Sequence, residues 1–448
     1  MAEPAPLLFL QRMMCLANKD PLIVVLQGPA STPFDEPSLR TSLLVLLREN
    51  PILRARLDRR GTQPVLQPQG ASDCDVIIEI YAPLEEDKAS FEDLTFSEQV
   101  IYFEADVRER LSTHLTGHST PSIHLYYCEF FPTQPHLALA IDHLNCDGDS
   151  AALILNRLIN PSCLQHADAG TGTEALAYAR EYMYSPGQQA RLPLNFKKRQ
   201  SLYESSSALA PPTDIQETHG TGTEQIFEIS ESIRRSIERN AQALDTSINN
   251  LVISALGLTL YRLHQTPDFH INTASSGRHS PVIQATIGSF ATMSPLAFHI
   301  DEQQTLNDYL SSVNMHHMLA HYQSEIPFSK RSFLETVKAF RDTMLISFDS
   351  HQISPDVVYG VGKSVEQDWT NQPFIKKVVK PYVRRWPAEL RFRMDHDRWY
   401  ARLYTADDLY TPDAGRNFYE SLLKMCKAIS EDYSERPIKT LIDSNTID

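Results

Sequence analysis

The chain has 448 residues, which is too long for one ordinary hydrophobic core and favours two or three domains. A formal net charge of −15 argues against sequence-independent binding to nucleic acid, and 42% hydrophobic residues are ordinary for a globular protein. Six cysteines without Cys-x-x-Cys spacing indicate reduced thiols rather than a disulfide framework or a zinc site. The sequence has neither a signal peptide nor an apolar run of about 20 residues, so a cytoplasmic location is expected.

The first part of the chain alternates predicted strands and helices. Apolar and β-branched residues predict strands at residues 21–26, 52–57, 76–81 and 122–131. Leu39, Leu43, Leu46 and Leu47 recur at helical spacing and predict a helix over residues 38–49. The acidic segment 84–98 is predicted to be a solvated loop or a short helix.

Residues 137–150 carry the strongest chemical pattern. An apolar run at 137–141 predicts a buried strand and residues 151–158 predict a helix, and the turn between them reads His143-x-x-x-Asp147-Gly148. A histidine at the mouth of a strand is a candidate general base, because a rigid scaffold can hold it beside a cavity. Asp147 is expected to fix the turn, and Gly148 to permit a backbone angle or a close approach that a Cβ would block. Taken alone, the motif is also compatible with a surface loop whose histidine caps a strand.

A stretch rich in serine, proline and glycine predicts a linker at residues 201–223, between an N-terminal lobe (1–200) and a C-terminal lobe (224–448). Two halves of similar size are typical of two related lobes. Predicted strands of the second half cover residues 225–229, 269–273, 287–296, 345–348, 389–394 and 399–404. Its predicted helices follow Ser230 and Ser247, and a final helix covers residues 415–431.

Several short motifs in order along the chain resemble those of the condensation-domain superfamily of thioester-dependent acyltransferases. The motifs are Leu53-Arg-Ala-Arg-Leu57, His143-Leu-Asn-Cys-Asp-Gly148 with Ser150, Ser276-Gly-Arg278, the Ile-Gly-Ser-Phe and Pro-Leu pairing within 287–296, and His321-Tyr-Gln with Pro-Phe at 327–328. Jointly they are far more specific than any one of them.

The resemblance implies an α+β fold of two chloramphenicol-acetyltransferase-like lobes, which form a V-shaped pseudo-dimer with a central tunnel. It makes His143 the catalytic residue, which orients or deprotonates an acceptor amine or hydroxyl as it attacks a thioester carbonyl. Asp147 and Gly148 become structural, with Arg278 from the other lobe as the expected partner of Asp147. Residues that contact substrate or line the tunnel are expected to include Asp142, Ser150 and Ser347. Asp142 replaces the first histidine of most condensation domains, as also happens in related plant transferases.

The resemblance also implies the co-substrates. The donor is an acyl-phosphopantetheine thioester, on an acyl or peptidyl carrier protein or as acyl-CoA, and the acceptor is a small amine or alcohol. Neither a bound cofactor nor a metal is expected. Because no adenylation or carrier domain is recognisable, a free-standing enzyme of natural-product biosynthesis is expected. The pseudo-dimer within one chain that the resemblance implies makes a monomer the expected state. A non-catalytic carrier-protein-binding module and a scaffold repurposed for cyclisation are the alternatives, and amide and ester products are not distinguished.

Three other patterns allow a second interpretation. His317 and His321 lie four residues apart on a predicted helix, but a third metal ligand is not evident. Basic residues between Lys376 and Arg393, and at 197–199, are either a solvated edge or a docking site for CoA or a carrier protein. Cys146 is more readily a small packing residue than a nucleophile, because no base of its own accompanies it.

Overall fold

The computed structural model describes a large part of the chain. The described residues are 3–8, 11, 21–27, 36–61, 64–70, 74–84, 88–92, 103, 106, 110, 122–128, 136–159, 174–213, 222–278, 281–284, 286–325, 343–349, 374–378, 387–394, 399–406, 409–430 and 433–443.

Strands and helices are mixed along the chain, as expected for an α+β protein. The strands are β1 (Ala5–Pro6), β2 (Pro21–Gln27), β3 (Ala55–Asp58), β4 (Val65–Pro68), β5 (Asp75–Ile80), β6 (Ser122–Cys128), β7 (His136–Asp142), β8 (Ser207–Ala208), β9 (Gly222–Ile229), β10 (Asp268–Ser275), β11 (Thr292–His299), β12 (Leu345–Asp349), β13 (Phe374–Val378), β14 (Ala388–Met394) and β15 (Trp399–Ala406). The helices are α1 (Glu36–Glu49), α2 (Lys88–Glu92), α3 (Gly148–Ile159), α4 (Glu174–Tyr184), α5 (Pro186–Ser205), α6 (Glu231–Ala243), α7 (Ile248–His264), α8 (Pro281–Gln284), α9 (Leu306–Tyr322), α10 (Pro412–Ala428) and α11 (Ile438–Ile442), with a 3₁₀ turn at Pro51–Arg54.

The described residues divide into two compact units. The first unit contains the described residues up to Ala190 together with the segment Ser276–Ala291, and the second contains the remainder. This division differs from lobes of 1–200 and 224–448, because Ser276–Ala291 belongs to the first unit. The predicted linker at 201–223 also begins in regular structure, since its first five residues end α5 and β8 pairs with β10.

The first unit holds two sheets and the candidate histidine. One sheet has the order β2-β7-β6-β5 and the other β1-β4-β3. Strand β7 pairs antiparallel with both β2 and β6, so that the strand preceding His143 is held on both edges. The predicted leucine stripe of α1 is buried, and α1 packs against α3, the helix that follows the histidine.

The second unit is built on one mixed sheet. Its order is β11-β10-β12-β14-β15-β9-β13, and β8 adds to β10. Helix α7 is buried along nearly its whole length, as its apolar composition predicts. Ser230 and Ser247 cap α6 and α7 by accepting hydrogen bonds from the Ile233 and Asn250 amides, so both predicted helix starts are confirmed.

Two predicted strands differ from the structure. Residues 51–54 form a 3₁₀ turn and only Ala55–Asp58 is a strand, because Pro51 follows the end of α1 and cannot donate to a ladder. The strand predicted at 287–296 begins only at Thr292, since the amides of Phe290 and Ala291 donate to the Asp147 carboxylate instead.

Within the described part of the chain, no single helix has the length and apolar composition needed to cross a membrane. Helices α6 and α7 pass that test only as a pair bent by 101°.

Candidate active site

His143 directly follows β7, at the start of the turn that leads into α3. Its side chain is half-buried. The turn is closed by its own backbone and by Asp142, whose carboxylate accepts from the Leu144 amide at 3.0 Å and whose carbonyl accepts from the Asn145 amide at 2.9 Å. Asp142 thus orders the turn, and its contact with substrate stays a prediction.

The ring of His143 has a defined hydrogen-bond polarity. Its Nδ1 lies 2.8 Å from the carbonyl oxygen of Cys146. A carbonyl oxygen can only accept, so Nδ1 must carry the proton of this bond. In the neutral ring the other nitrogen, Nε2, is then the basic one, and the same loop that carries the histidine selects its tautomer.

Asp147 is the centre of the hydrogen-bond network beside His143. It precedes α3 and caps it, because its Oδ1 accepts from the Ser150 amide at 2.9 Å. Its Oδ2 accepts from the amides of Phe290 and Ala291, at 2.8 and 3.2 Å. The carboxylate therefore ties the motif turn to a segment about 140 residues further along the chain.

Arg278 completes this network with an ion pair. Its Nη2 lies 2.9 Å from Asp147 Oδ1, and the two side chains are 6% and 2% exposed. The guanidinium also lies 3.2 Å from Asp149 and donates to the Thr286 carbonyl at 2.7 Å. The expected pairing of Asp147 with Arg278 is present, but the arginine belongs to the same compact unit as the motif and not to another lobe.

Ser150 is a buried link between α3 and the segment at Gly288. Its hydroxyl donates to the Gly288 carbonyl at 2.6 Å and accepts from the Gly288 amide and from Arg278 Nη2, at 2.8 and 2.7 Å. One donor and two acceptor positions are all that a hydroxyl has. Because its side chain is fully buried and its capacity is filled, these contacts do not support the expected role of Ser150 in contacting substrate.

The other predicted site residues have separate positions. Ser347 is a buried residue of β12 in the second unit and lies opposite Arg391 on β14. Its expected role in contacting substrate or lining a tunnel stays a prediction. Gly148 begins α3 and does not have a positive φ, so a special backbone angle there is wrong, and the alternative, a close approach that a Cβ would block, stays a prediction. The described glycine with a positive φ is Gly277, at 68°, where a Cβ would overlap the Phe290 carbonyl oxygen.

Two buried side-chain amides hold the histidine turn from other parts of the chain, and sequence patterns do not predict either contact. Gln11 Nε2 donates to the Leu144 carbonyl at 2.7 Å, and Asn145 Nδ2 donates to the Ala55 carbonyl at 3.0 Å. The partners are 133 and 90 residues apart, so local periodicity cannot reveal these contacts.

The alternative chemical sites receive little support. Within the described residues, no three histidine, cysteine or acidic side chains lie close enough to hold a metal ion, and His317 and His321 instead contact each other through Nε2 atoms 2.9 Å apart. Cys146 is fully buried, and burial raises the pKa of its thiol well above the usual value, which disfavours the nucleophilic thiolate. The Pro-Phe pair at 327–328 lies outside the described residues.

Some residues of the two basic clusters make contacts within the protein itself. Arg199 is buried and donates to the carbonyls of Gln323 and Ser324 at 3.2 and 2.9 Å, so it is not a docking residue. Arg391 pairs with Glu389 at 2.9 Å on the same strand. Lys197 and Lys198 are exposed, and a docking role for them stays a prediction. Residues 380, 384 and 385 lie outside the described part of the chain.

A buried histidine in the second unit gives the protein a pH-dependent stability. His270 is 2% exposed, and burial lowers its pKa to about 4. Its Nδ1 lies 2.8 Å from Ser206 Oγ, which itself donates to the Leu202 carbonyl. Nδ1 must therefore donate this hydrogen bond. Because burial disfavours the charged ring, His270 is neutral in the folded protein above about pH 4.

We expect the free energy of unfolding to fall as the pH falls from about 6.5 to about 4, by an amount on the order of 3 kcal/mol from His270. Over this range the unfolded chain binds a proton at this side chain and the folded chain does not. Denaturant unfolding as a function of pH measures the effect. The variant His270→Asn should lose this contribution and therefore have a shallower profile than the wild type; equal slopes in the two proteins would contradict the assignment.

Comparison with known proteins identifies the family. A family model described as "Condensation domain" matches residues 7–438. The hybrid PKS-NRPS synthetase gkaA of Penicillium citrinum is 24% identical over 272 residues, which are 56% of this chain and 6% of that synthetase. Chondramide synthase cmdD of Chondromyces crocatus is 22% identical over 299 residues, 65% of this chain and 7% of that protein. The chain thus corresponds to a small fraction of these curated relatives.

Solved structures share the fold. The condensation domain from the Monacolin K polyketide synthase MokA superposes with a TM-score of 0.69 at 13% identity, covering 97% of this chain and 99% of that domain. A condensation domain studied for chain release from the enacyloxin polyketide synthase gives a TM-score of 0.70 at 17% identity. The match covers 96% of this chain and 82% of that chain. The chain belongs to the condensation-domain family. Condensation domains catalyse acyl transfer between substrates carried on phosphopantetheine.

Proposed function

We propose that this chain is an acyltransferase that moves an acyl group from a phosphopantetheine thioester to an amine or a hydroxyl group, with His143 as its catalytic base. The observation that carries the proposal is the bond from His143 Nδ1 to the Cys146 carbonyl, because it makes Nε2 the proton acceptor. Membership of the condensation-domain family supports the thioester donor.

The proposed reaction needs one imidazole and no covalent enzyme intermediate. The acceptor nitrogen or oxygen attacks the thioester carbonyl carbon while Nε2 takes its proton. The resulting tetrahedral intermediate collapses with cleavage of the carbon–sulfur bond, and the imidazolium returns the proton to the departing thiolate. The products are an amide or an ester and a free phosphopantetheine thiol. In this proposal the phosphopantetheine arm, on a carrier protein or in CoA, is a substrate rather than a resident cofactor.

The Asp147 network supports a positioning role for that residue rather than a proton-transfer role. Its carboxylate contacts Arg278 and the backbone amides of Ser150, Phe290 and Ala291, and none of these contacts is with the His143 ring. The carboxylate would hold the turn in place during the reaction, as the resemblance implies.

The test is acceptor-dependent release of thiol from a panel of acyl-CoA and acyl-carrier thioesters, each with amine and alcohol acceptors. The wild type is compared with His143→Ala and with His264→Ala, a matched control whose ring also contacts a backbone carbonyl, that of Ala210, at 2.7 Å. We expect release by the wild type and the His264 variant only. Equal release by the His143 variant would contradict the role of His143, and carrier binding without release by any protein would favour a non-catalytic module.

A further inference from the structure

We propose that Gln11 and Asn145 are positioning residues for His143, because their side-chain amides hold the turn whose Cys146 carbonyl selects the histidine tautomer. The kinetic consequence of this inference rests on the proposed function. The structural consequence, a defined tautomer of His143, does not.

Both polar atoms of the Gln11 side-chain amide are hydrogen-bonded. The residue is 3% exposed, and its Oε1 accepts from the Leu8 amide at 2.8 Å while its Nε2 donates to the Leu144 carbonyl at 2.7 Å. An amide that reaches back three residues to a backbone N–H is a common way to order the start of a helical turn. The side chain thereby connects the N-terminal segment to the residue immediately after His143.

Asn145 holds the next residue of the same turn to a different element. It is 2% exposed, and its Nδ2 donates to the carbonyl of Ala55 at the start of β3. Its own amide donates to the Asp142 carbonyl at 2.9 Å. The peptides of residues 144 and 145 are therefore anchored to two elements that are distant in sequence from the turn.

These anchors act on the catalytic ring through the backbone. The Cys146 carbonyl, which accepts the Nδ1 proton of His143, belongs to the residue directly after Asn145. A small rotation of this peptide would move the oxygen away from Nδ1, and the tautomer with its proton on Nε2 would then become populated. That tautomer has no basic Nε2, so it cannot accept a proton from the acceptor substrate.

The test uses near-isosteric variants that remove one amide each, Gln11→Met and Asn145→Leu. Gln225→Met and Asn250→Leu are matched controls, because these two residues are also buried amides that donate to carbonyls, those of Pro412 and Leu310, at 2.9 and 3.0 Å in the second unit. Nitrogen-15 spectra of the labelled histidine rings report the tautomer without any substrate. The resonances of His143 are assigned by their loss in His143→Ala.

We expect wild-type His143 to be protonated at Nδ1, and both variants to shift toward a mixture of tautomers while both controls keep the wild-type spectrum. With the most active pair from the thioester panel, kcat should fall by about 10- to 100-fold in the two variants, with KM changed by less than about twofold. An unchanged His143 spectrum in both variants, or an equal shift in the controls, would overturn the inference.

A second variant at Gln11 keeps one of its two hydrogen bonds, so it separates the loss of the other bond from a loss of folding. Gln11→Glu still accepts from the Leu8 amide, but its carboxylate cannot donate to the Leu144 carbonyl. The same spectral shift is expected in this variant, and its absence in the folded protein would contradict the role of Gln11. If the wild type transferred no acyl group and the variants still shifted the His143 spectrum, the positioning role would stand and the proposed function would be wrong.

Discussion

Replacement of His143 by alanine is expected to lower kcat for acyl transfer by about 10²- to 10⁴-fold, the usual contribution of a positioned general base. The reason is that the proposed reaction depends on Nε2 of this ring to take the proton of the acceptor. KM for the thioester donor should change little, because the ring is proposed to act on the acceptor proton and not on the phosphopantetheine arm. Steady-state kinetics with the pair identified in the thioester panel measure both quantities.

The variant His143→Gln separates orientation from proton transfer. Its side-chain amide can still hydrogen-bond the acceptor, but it cannot accept a proton at neutral pH. If His143 is the base, glutamine and alanine should lower kcat to a similar extent. If glutamine retained more than about a tenth of the wild-type kcat, the ring would orient the acceptor and the general-base role would be wrong.

Replacement of Asp147 by alanine is expected to lower the free energy of unfolding by about 3 kcal/mol or more, because it leaves the buried guanidinium of Arg278 without its main partner. The substitution also removes the cap of α3 and leaves the amides of Phe290 and Ala291 without their hydrogen-bond acceptor. Guanidinium unfolding of the wild type and the variant measures the difference.

A double variant tests the physical reason for that loss. Asp147→Ala with Arg278→Met removes both charges, so it should be more stable than Asp147→Ala alone. The exposed pair of Asp58 and Arg60, 2.8 Å apart, is the control, and Asp58→Ala should have a much smaller effect. Comparable losses in Asp58→Ala and Asp147→Ala, or no recovery in the double variant, would contradict this account of the network.

The parts of the fold that the sequence predicts are those with strong local patterns. The strand–turn–helix unit around His143, the leucine stripe of α1 and the serine caps of α6 and α7 each depend on spacing within a few residues, and all are present. The pairing of Asp147 with Arg278 was expected from the family resemblance and not from spacing, and it is also present.

The parts that the sequence does not predict have weak local patterns or depend on distant contacts. Helix α5 is largely polar and contains Pro193, so its apolar periodicity is weak, and its last turn resembles a linker in composition. Residues 287–291 have strand-forming composition, yet they bind Asp147 and Ser150 instead of a neighbouring strand. The contact of Gln11 with Leu144 spans 133 residues and becomes evident only in the folded chain.

The most direct test of the central claim is a single-turnover reaction with enzyme in excess over one acyl thioester, in which mass spectrometry follows the acylated acceptor and a thiol reagent follows the released phosphopantetheine. For the wild type, we predict that product and thiol appear together in a one-to-one ratio, and that the His143→Ala protein forms neither on the same timescale. Product formation by His143→Ala at the wild-type rate would contradict the claim that His143 carries the reaction.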